Sequence, residues 1–124
     1  MANTFDWVEI RSNDVERAAS FYEKVFGWKV IDRESIEGDD YLIFDTRDEP
    51  RSHTLRNGGM WCRRGNTGVL VYVLVEDIDE ALERVKLHGG EILVSKIDMG
   101  SAYRAEFGDL DGNVFGLFEE KEAG

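Results

Sequence analysis

Trp7, Glu9 and Arg11 alternate with Val8 and Ile10 along the segment Phe5 to Arg11. Successive side chains of an extended strand point to opposite faces, so a strand here puts Val8 and Ile10 on one face. If those two pack beneath a helix, the other face carries a carboxylate between an indole and a guanidinium. A carboxylate in an apolar wall is costly unless it is paired or hydrogen-bonded, and burial favours the neutral form of such a group. A group of that kind suits a general base near neutral pH, which makes Glu9 the candidate catalytic residue. The structural alternative stays open beside it: Arg11, on the same face, neutralises Glu9, and Tyr72 or Tyr103 supplies a hydrogen bond.

The candidate ligand-binding residues are Trp7, Arg11, Trp61, Leu70, Tyr72, Tyr103 and Gly116. Trp7 and Trp61 are suited either to stacking on a planar or cationic ligand or to filling a core. Leu70, Tyr72 and Leu74 alternate with Val71, Val73 and Val75, and the first three are read as facing inward while the valines meet a helix. On the last strand Val114, Gly116 and Phe118 share a face, and Gly116 either leaves room for a bulky neighbour or marks a bend. The surface so described is apolar and aromatic with few polar groups, the usual character of a small-molecule site. Cys62 stands beside Arg63 and Arg64, but a lone strand cysteine is usually inert. No nucleophile elbow, phosphate-cradling loop or paired catalytic carboxylates are present.

The elements that must position these side chains come as a repeat. Asp14-Val15-Glu16-Arg17-Ala18-Ala19 matches Asp77-Ile78-Asp79-Glu80-Ala81-Leu82 at an offset of about 63 residues, and the same offset pairs Val8 with Val71, Ile10 with Val73 and Gly27 with Gly90. In each half a strand precedes a helix whose apolar stripe is Val15, Ala18, Ala19, Tyr22, Val25 and Phe26, or Ile78, Ala81, Leu82 and Val85. Asn13 or Asp14 caps the first helix; Asp77 with Glu80 reads as a capping box for the second. Gly27 and Gly89-Gly90 end them. Three strands follow in each half: Trp28 to Asp32, Tyr41 to Thr46 and about Gly59 to Arg63, then Glu91 to Lys96, Ala102 to Phe107 and Val114 to Glu119. Arg47 to Asn57 is charged, holds the only proline and is read as an exposed loop. The order βαβββ, twice, predicts an α+β fold rather than a doubly wound one. We read residues 1–124 as one domain, with modules at about 4–66 and about 67–121.

With 124 residues, 42% hydrophobic and 33% charged, the chain is long enough to bury a core. A single cysteine excludes an internal disulfide and a multi-thiolate metal site. There is no signal-peptide pattern or membrane-length apolar run, which points to the cytoplasm. A net charge of −11 argues against nucleic acid and anionic membrane partners, and permits a cationic ligand without requiring one.

The segment Asp14 to Tyr22 running into Val25-Phe26-Gly27-Trp28, then Val75 to Ala81, then Asp109-Leu110-Asp111-Gly112-Asn113, resembles the vicinal-oxygen-chelate superfamily of glyoxalase I, extradiol dioxygenases and bleomycin- and fosfomycin-resistance proteins. In detail the chain looks most like the small proteins described as related to lactoylglutathione lyase. The resemblance covers nearly the whole chain and implies two curled sheets facing one another around a cavity, the glyoxalase/bleomycin-resistance-like fold. It also implies a homodimer, the commonest soluble oligomer in any case. In such proteins a metal is commonly held by a His on the first strand and a Glu on the last strand of each half. Here the first-strand positions are Trp7 and Leu70, and the last-strand position of the second half is Gly116. Arg51 to Gly68 contains no carboxylate to serve the first half. The expected metal set is therefore none, and no cofactor is expected.

His88 lies at the end of the second helix and His53 beside the charged loop. A substitute set of Glu9, His53 and Glu106 has no spacing to recommend it. Three readings result: a metal-free binder of a small organic molecule in the inter-module cavity; a metal-independent lyase or isomerase with Glu9 as base; and a divalent-metal glyoxalase or dioxygenase with atypical ligands.

Overall fold

The computed structural model describes residues 3–46 and 58–122. The loop Arg47 to Asn57, and His53 with it, lies outside the described residues. The elements run β1 (Thr4–Ser12), α1 (Val15–Phe26), β2 (Lys29–Ile36), β3 (Asp39–Asp45) and β4 (Gly58–Cys62), then β5 (Gly68–Leu74), α2 (Ile78–Leu87), β6 (Glu91–Asp98), β7 (Ala102–Gly108) and β8 (Val114–Glu120). This is the βαβββ order, twice. Two compact units result: one runs from Trp7 to Leu70, and the other takes in the described residues from Val71 onward together with those before Trp7. Asn3 belongs to the second unit, where its N–H donates to the Leu74 carbonyl at 2.5 Å.

In the first module the strand order is β2-β3-β4-β1, with β1 and β4 parallel and the other neighbours antiparallel. The helix covers one face. Val15, Leu42, Phe44 and Met60 form the buried cluster, with Ile10, Ala18, Ala19, Tyr22, Trp28 and Val30 packed on it. Each such side chain, fully buried, contributes about 1.5–3 kcal/mol. Asp14, in extended conformation, accepts from the Arg17 N–H at 3.1 Å and starts α1. Gly27, at φ 77°, ends it through its N–H to the Glu23 carbonyl. The last turn departs from the sequence reading: Val25 and Phe26 are exposed. Phe26 instead stacks on Trp28, ring centroids 5.1 Å apart.

A second departure is the length of β2, which continues past Asp32 to Ile36. Charged residues at Arg33 and Glu34 hid the extension, and both are exposed. Glu37 and Gly38, at φ 53° and 85°, turn the chain into β3. Positive φ at both central residues is the geometry whose twist suits a two-residue hairpin.

The second module has the order β6-β7-β8-β5, with β5 and β8 parallel. Val75, Ile78, Leu82, Ala105 and Leu117 are its buried cluster, with Val73, Ala81, Ile92 and Phe107 around it. Asp77 caps α2 by accepting from the Glu80 N–H at 3.1 Å. The Glu80 carboxylate pairs with Arg84 one turn on, so only the N-cap half of a capping box is seen. Glu119 on β8 adds a second anchor, accepting from the Ile78 N–H at 2.8 Å. Among the described residues no helix is long and apolar enough to cross a membrane.

Candidate functional site: the helix-free sheet faces

Because Ile10, Leu42 and Met60 point at α1, the alternate residues of the same strands share the opposite face. The register places Glu9, Gly59 and Ile43 in one row across β1, β4 and β3, and Arg11, Trp61 and Tyr41 in the next. Glu9 is 3% exposed and Arg11 7%. Arg11 Nε donates to Glu9 Oε2 at 2.8 Å. Tyr41 Oη donates to Glu9 Oε1 at 3.0 Å and accepts from Trp7 Nε1 at 2.7 Å. Both carboxylate oxygens thus receive donors, one of them charged.

Tyr41 stands on β3 and Glu9 on β1, with β4 between them. Neighbouring strands lie about 4.8 Å apart, so a hydroxyl on β3 reaches β1 only by lying over the middle strand. The residue crossed is Gly59. A Cβ built there would fall on the Tyr41 ring. The sequence reading named Trp7, Glu9 and Arg11, and the structure brings these together. It did not single out Tyr41 or Gly59 as site residues. Within the first module Tyr41 on β3 donates to Glu9 across a glycine.

Trp61 is 1% exposed. The Arg63 guanidinium lies 3.6 Å from its ring centroid and that of Arg11 5.3 Å, while its Nε1 donates to the Ile36 carbonyl at 3.3 Å. Cations of the chain itself therefore sit over this indole, and Arg63 is in turn 3.8 Å from Glu37 and from Asp39. Leu70 is buried on β5. Cys62 is half-buried, its Sγ 3.8 Å from the Asn13 carbonyl.

The second module repeats the scheme with other strands. Tyr72, Gly116 and Glu106 form a row across β5, β8 and β7, and Leu74, Phe118 and Arg104 the next. A Cβ on Gly116 would fall on the Tyr72 ring, so this glycine stands beneath a bulky neighbour. Arg104 and Glu106 are 4% and 7% exposed, and Arg104 Nη1 donates to Glu106 Oε2 at 3.1 Å. Tyr103 lies apart from this group. Its strand neighbour Ala105 points at α2, and Tyr103 packs on the same apolar cluster, flanked by Lys96 and Lys121 at 4.2 and 4.9 Å from its ring centroid. Arg104 went unnamed in the sequence, although Arg104 and Glu106 repeat the Arg-Glu spacing of Glu9 and Arg11 in reverse.

The register also settles which first-module position corresponds to Gly116. Glu9 and Tyr72 are repeat equivalents, and they face Gly59 and Gly116 respectively. The positions at which the resemblance implies metal ligands therefore correspond to Trp7, Gly59, Leu70 and Gly116. None offers a metal-binding side chain, Trp7 Nε1 is a donor only, and tyrosine rings lie over both glycines. Among the described residues no three His, Cys, Asp or Glu side chains gather as a ligand group. These residues do not fit the metal. His88 caps the C-terminus of α2.

Residues 4–117 match the family model "Glyoxalase/Bleomycin resistance protein/Dioxygenase superfamily". The proteins called "Putative glyoxylase CFP32" of Mycobacterium bovis and Mycobacterium tuberculosis are each 25% identical over 118 residues, 94% of this chain and 45% of theirs. The chain thus spans less than half the length of the curated relatives it matches. Among solved structures, hypothetical protein BH1468 from Bacillus halodurans C-125 superposes with TM-score 0.73 at 15% identity, covering 100% of this chain and 99% of its own. The methylmalonyl-CoA epimerase of M. tuberculosis gives 0.69 at 14%, with 98% and 90% covered. A variant of the Streptomyces coelicolor epimerase, in complex with 2-nitronate-propionyl-CoA, gives 0.71 at 17%, with 98% and 100% covered. At these identities the solved structures establish a shared fold alone. With the βαβββ repeat and the family match over residues 4–117, the chain belongs to the glyoxalase/bleomycin resistance protein/dioxygenase superfamily.

Proposed function

We propose that this protein binds a small organic molecule on its helix-free sheet faces without the metal ion of its metal-dependent relatives. The observation that carries the reading is the identity of the four positions. At the positions where the resemblance implies two His and two Glu stand Trp7, Gly59, Leu70 and Gly116, and in each module a tyrosine ring, Tyr41 or Tyr72, lies over the glycine. What remains is an apolar and aromatic surface with a few placed polar groups, which is what a small-molecule site requires. Trp7, Arg11, Leu70 and Tyr72 are its contact residues, with Tyr41 added. Trp61 supports them from beneath Arg63, and Gly116 by admitting Tyr72.

The test is metal content per chain, on untagged protein produced with supplemented iron, zinc, manganese and nickel and never exposed to chelator. A ratio near zero, together with a rise in Tm on adding organic ligands, is the expected result. A ratio near one overturns the proposal.

A second reading has its own observation. Glu9 is fixed by Arg11 and Tyr41, so its carboxylate is held in place as a base must be. A base held in this way would serve a proton transfer of the lyase or isomerase class. In that case Glu9→Gln abolishes turnover while the far-ultraviolet spectrum stays that of the parent. Retained turnover sinks it.

A further inference from the structure

The internal repeat separates what the fold requires of a helix from what it does not. At the offset of about 63 residues, Phe21, Val25 and Phe26 of α1 correspond to Arg84, His88 and Gly89 at the end of α2. The second module therefore folds without large apolar side chains at these positions. Arg84 is paired with Glu80 one turn back, whereas Phe21, Val25 and Phe26 are 57%, 52% and 61% exposed. The three do not stand singly. Phe21 packs edge-on against Tyr22, ring centroids 5.2 Å apart. Tyr22 and Phe26 both stack on Trp28, at 5.2 and 5.1 Å, and Trp28 stacks on the buried Phe44 at 5.5 Å. Val25 lies one helical turn from Phe21. A contiguous apolar patch open to solvent marks a contact surface, as scattered exposed residues do not. We infer that this face of α1 is where two copies of the chain associate, each covering the other's patch about a two-fold axis.

The choice of a second copy as occupant follows from charge. A net charge of −11 drives copies of this chain apart. Residues 15–36, which make up α1, β2 and the turn between them, hold four acidic and four basic side chains and contribute nothing to that total. The corresponding residues 78–99 hold five acidic and three basic. An equally acidic molecule thus meets little repulsion over α1 and β2. A basic partner would be drawn to the acidic remainder of the surface instead of to a neutral segment. Glu23 and Lys24 stand next to Val25 in the chain, which gives the contact a rim of both signs, self-complementary under a two-fold. The inference is independent of what the helix-free faces bind.

Analytical ultracentrifugation of the whole chain between ~1 and ~100 μM, in ~0.05 M and ~0.5 M salt, is the test. A monomer–dimer equilibrium is expected, tighter at the higher salt because the charge outside the contact is then screened. Monomer at every concentration, association that weakens with salt, or open-ended growth each overturns the inference. Phe21→Arg combined with Val25→His gives α1 the residues that α2 carries at these positions, and makes the chain less acidic overall. The dimer should nevertheless weaken by about tenfold or more. Val25→Ser, with a smaller loss in the same direction, serves should the double variant fail to fold. Unchanged association in a folded variant overturns the assignment to α1. Leu110→Ser, at an apolar residue 75% exposed in the other unit, should leave the dimer as it is, and an equal loss there overturns the assignment as well.

Discussion

On the helix-free face of the first module the ionic pair Glu9 and Arg11 stands on the opening strand β1, and Tyr41 and Ile43 stand on β3. In the second module Tyr72 and Leu74 occupy the opening strand β5, and Arg104 and Glu106 stand on β7. The two faces hold nearly the same side chains on exchanged strands. What the repeat preserves is therefore a composition around a middle strand: one Arg, one Glu, one Tyr, one aliphatic residue, and a glycine between. The pair must be two residues apart on one strand because only i and i+2 share a face. The tyrosine must then come from the other flank, and glycine is the one residue it can cross.

The comparison predicts matched effects in the two modules. The largest follows from removing one ion of a buried pair. Arg11→Met and Arg104→Met should each destabilise by about 3–5 kcal/mol, since a buried carboxylate loses its charged donor. Glu9→Leu combined with Arg11→Met should recover most of that loss. Chemical denaturation of the single and double variants checks both, and a clear difference between Arg11 and Arg104 would break the equivalence of the faces.

Next come the crossing points. Gly59→Ala and Gly116→Ala should each cost about 1–3 kcal/mol by overpacking, because the new methyl meets a tyrosine ring held between paired strands. The same measurement applies, and a neutral result at either position would show that the ring there yields freely.

Tyr41→Phe keeps the ring and removes the hydroxyl that joins Trp7 to Glu9. About 1–2 kcal/mol should be lost, and a double-mutant cycle with Trp7→Phe should be non-additive. Additive losses would mean that the three groups act separately.

The smallest effect distinguishes the modules by pH. Asp109 accepts from the Asn113 side chain at 2.9 Å and from the N–H groups of Asn113 and Asp111, which lowers its pKa from the ordinary 3.8. Asp98, bonded by Lys121 and by the Gly100 N–H, is lowered likewise. With folded values below the unfolded one, their contribution is present above the ordinary aspartate value and lost as pH falls through the lower folded values. Amide exchange at Asn113 and Gly100 should accelerate in that acidic window, and Asp109→Asn should flatten the response at Asn113. Protection that is indifferent to acid would remove this distinction between the modules.

The order of elements, both N-caps and the helix-facing stripes were legible in the chain, because hydrophobic period and capping residues act locally. So were Glu9 with Arg11 on one strand face and the absence of metal-binding side chains at Trp7, Leu70 and Gly116, since period-two alternation and residue type need no partner. The end of α1 was misread, because helical period does not record whether anything covers Val25 and Phe26. Tyr41 was hidden in Tyr41-Leu42-Ile43-Phe44, a run apolar on both faces that alternation alone cannot orient. Gly59 acquires meaning only when β1 and β3 flank β4 in register. Local chemistry determined which groups are present and which face each strand offers. Strand pairing across a long sequence separation decided that a tyrosine crosses a glycine in each module, because no local signal records which strand will lie in the middle.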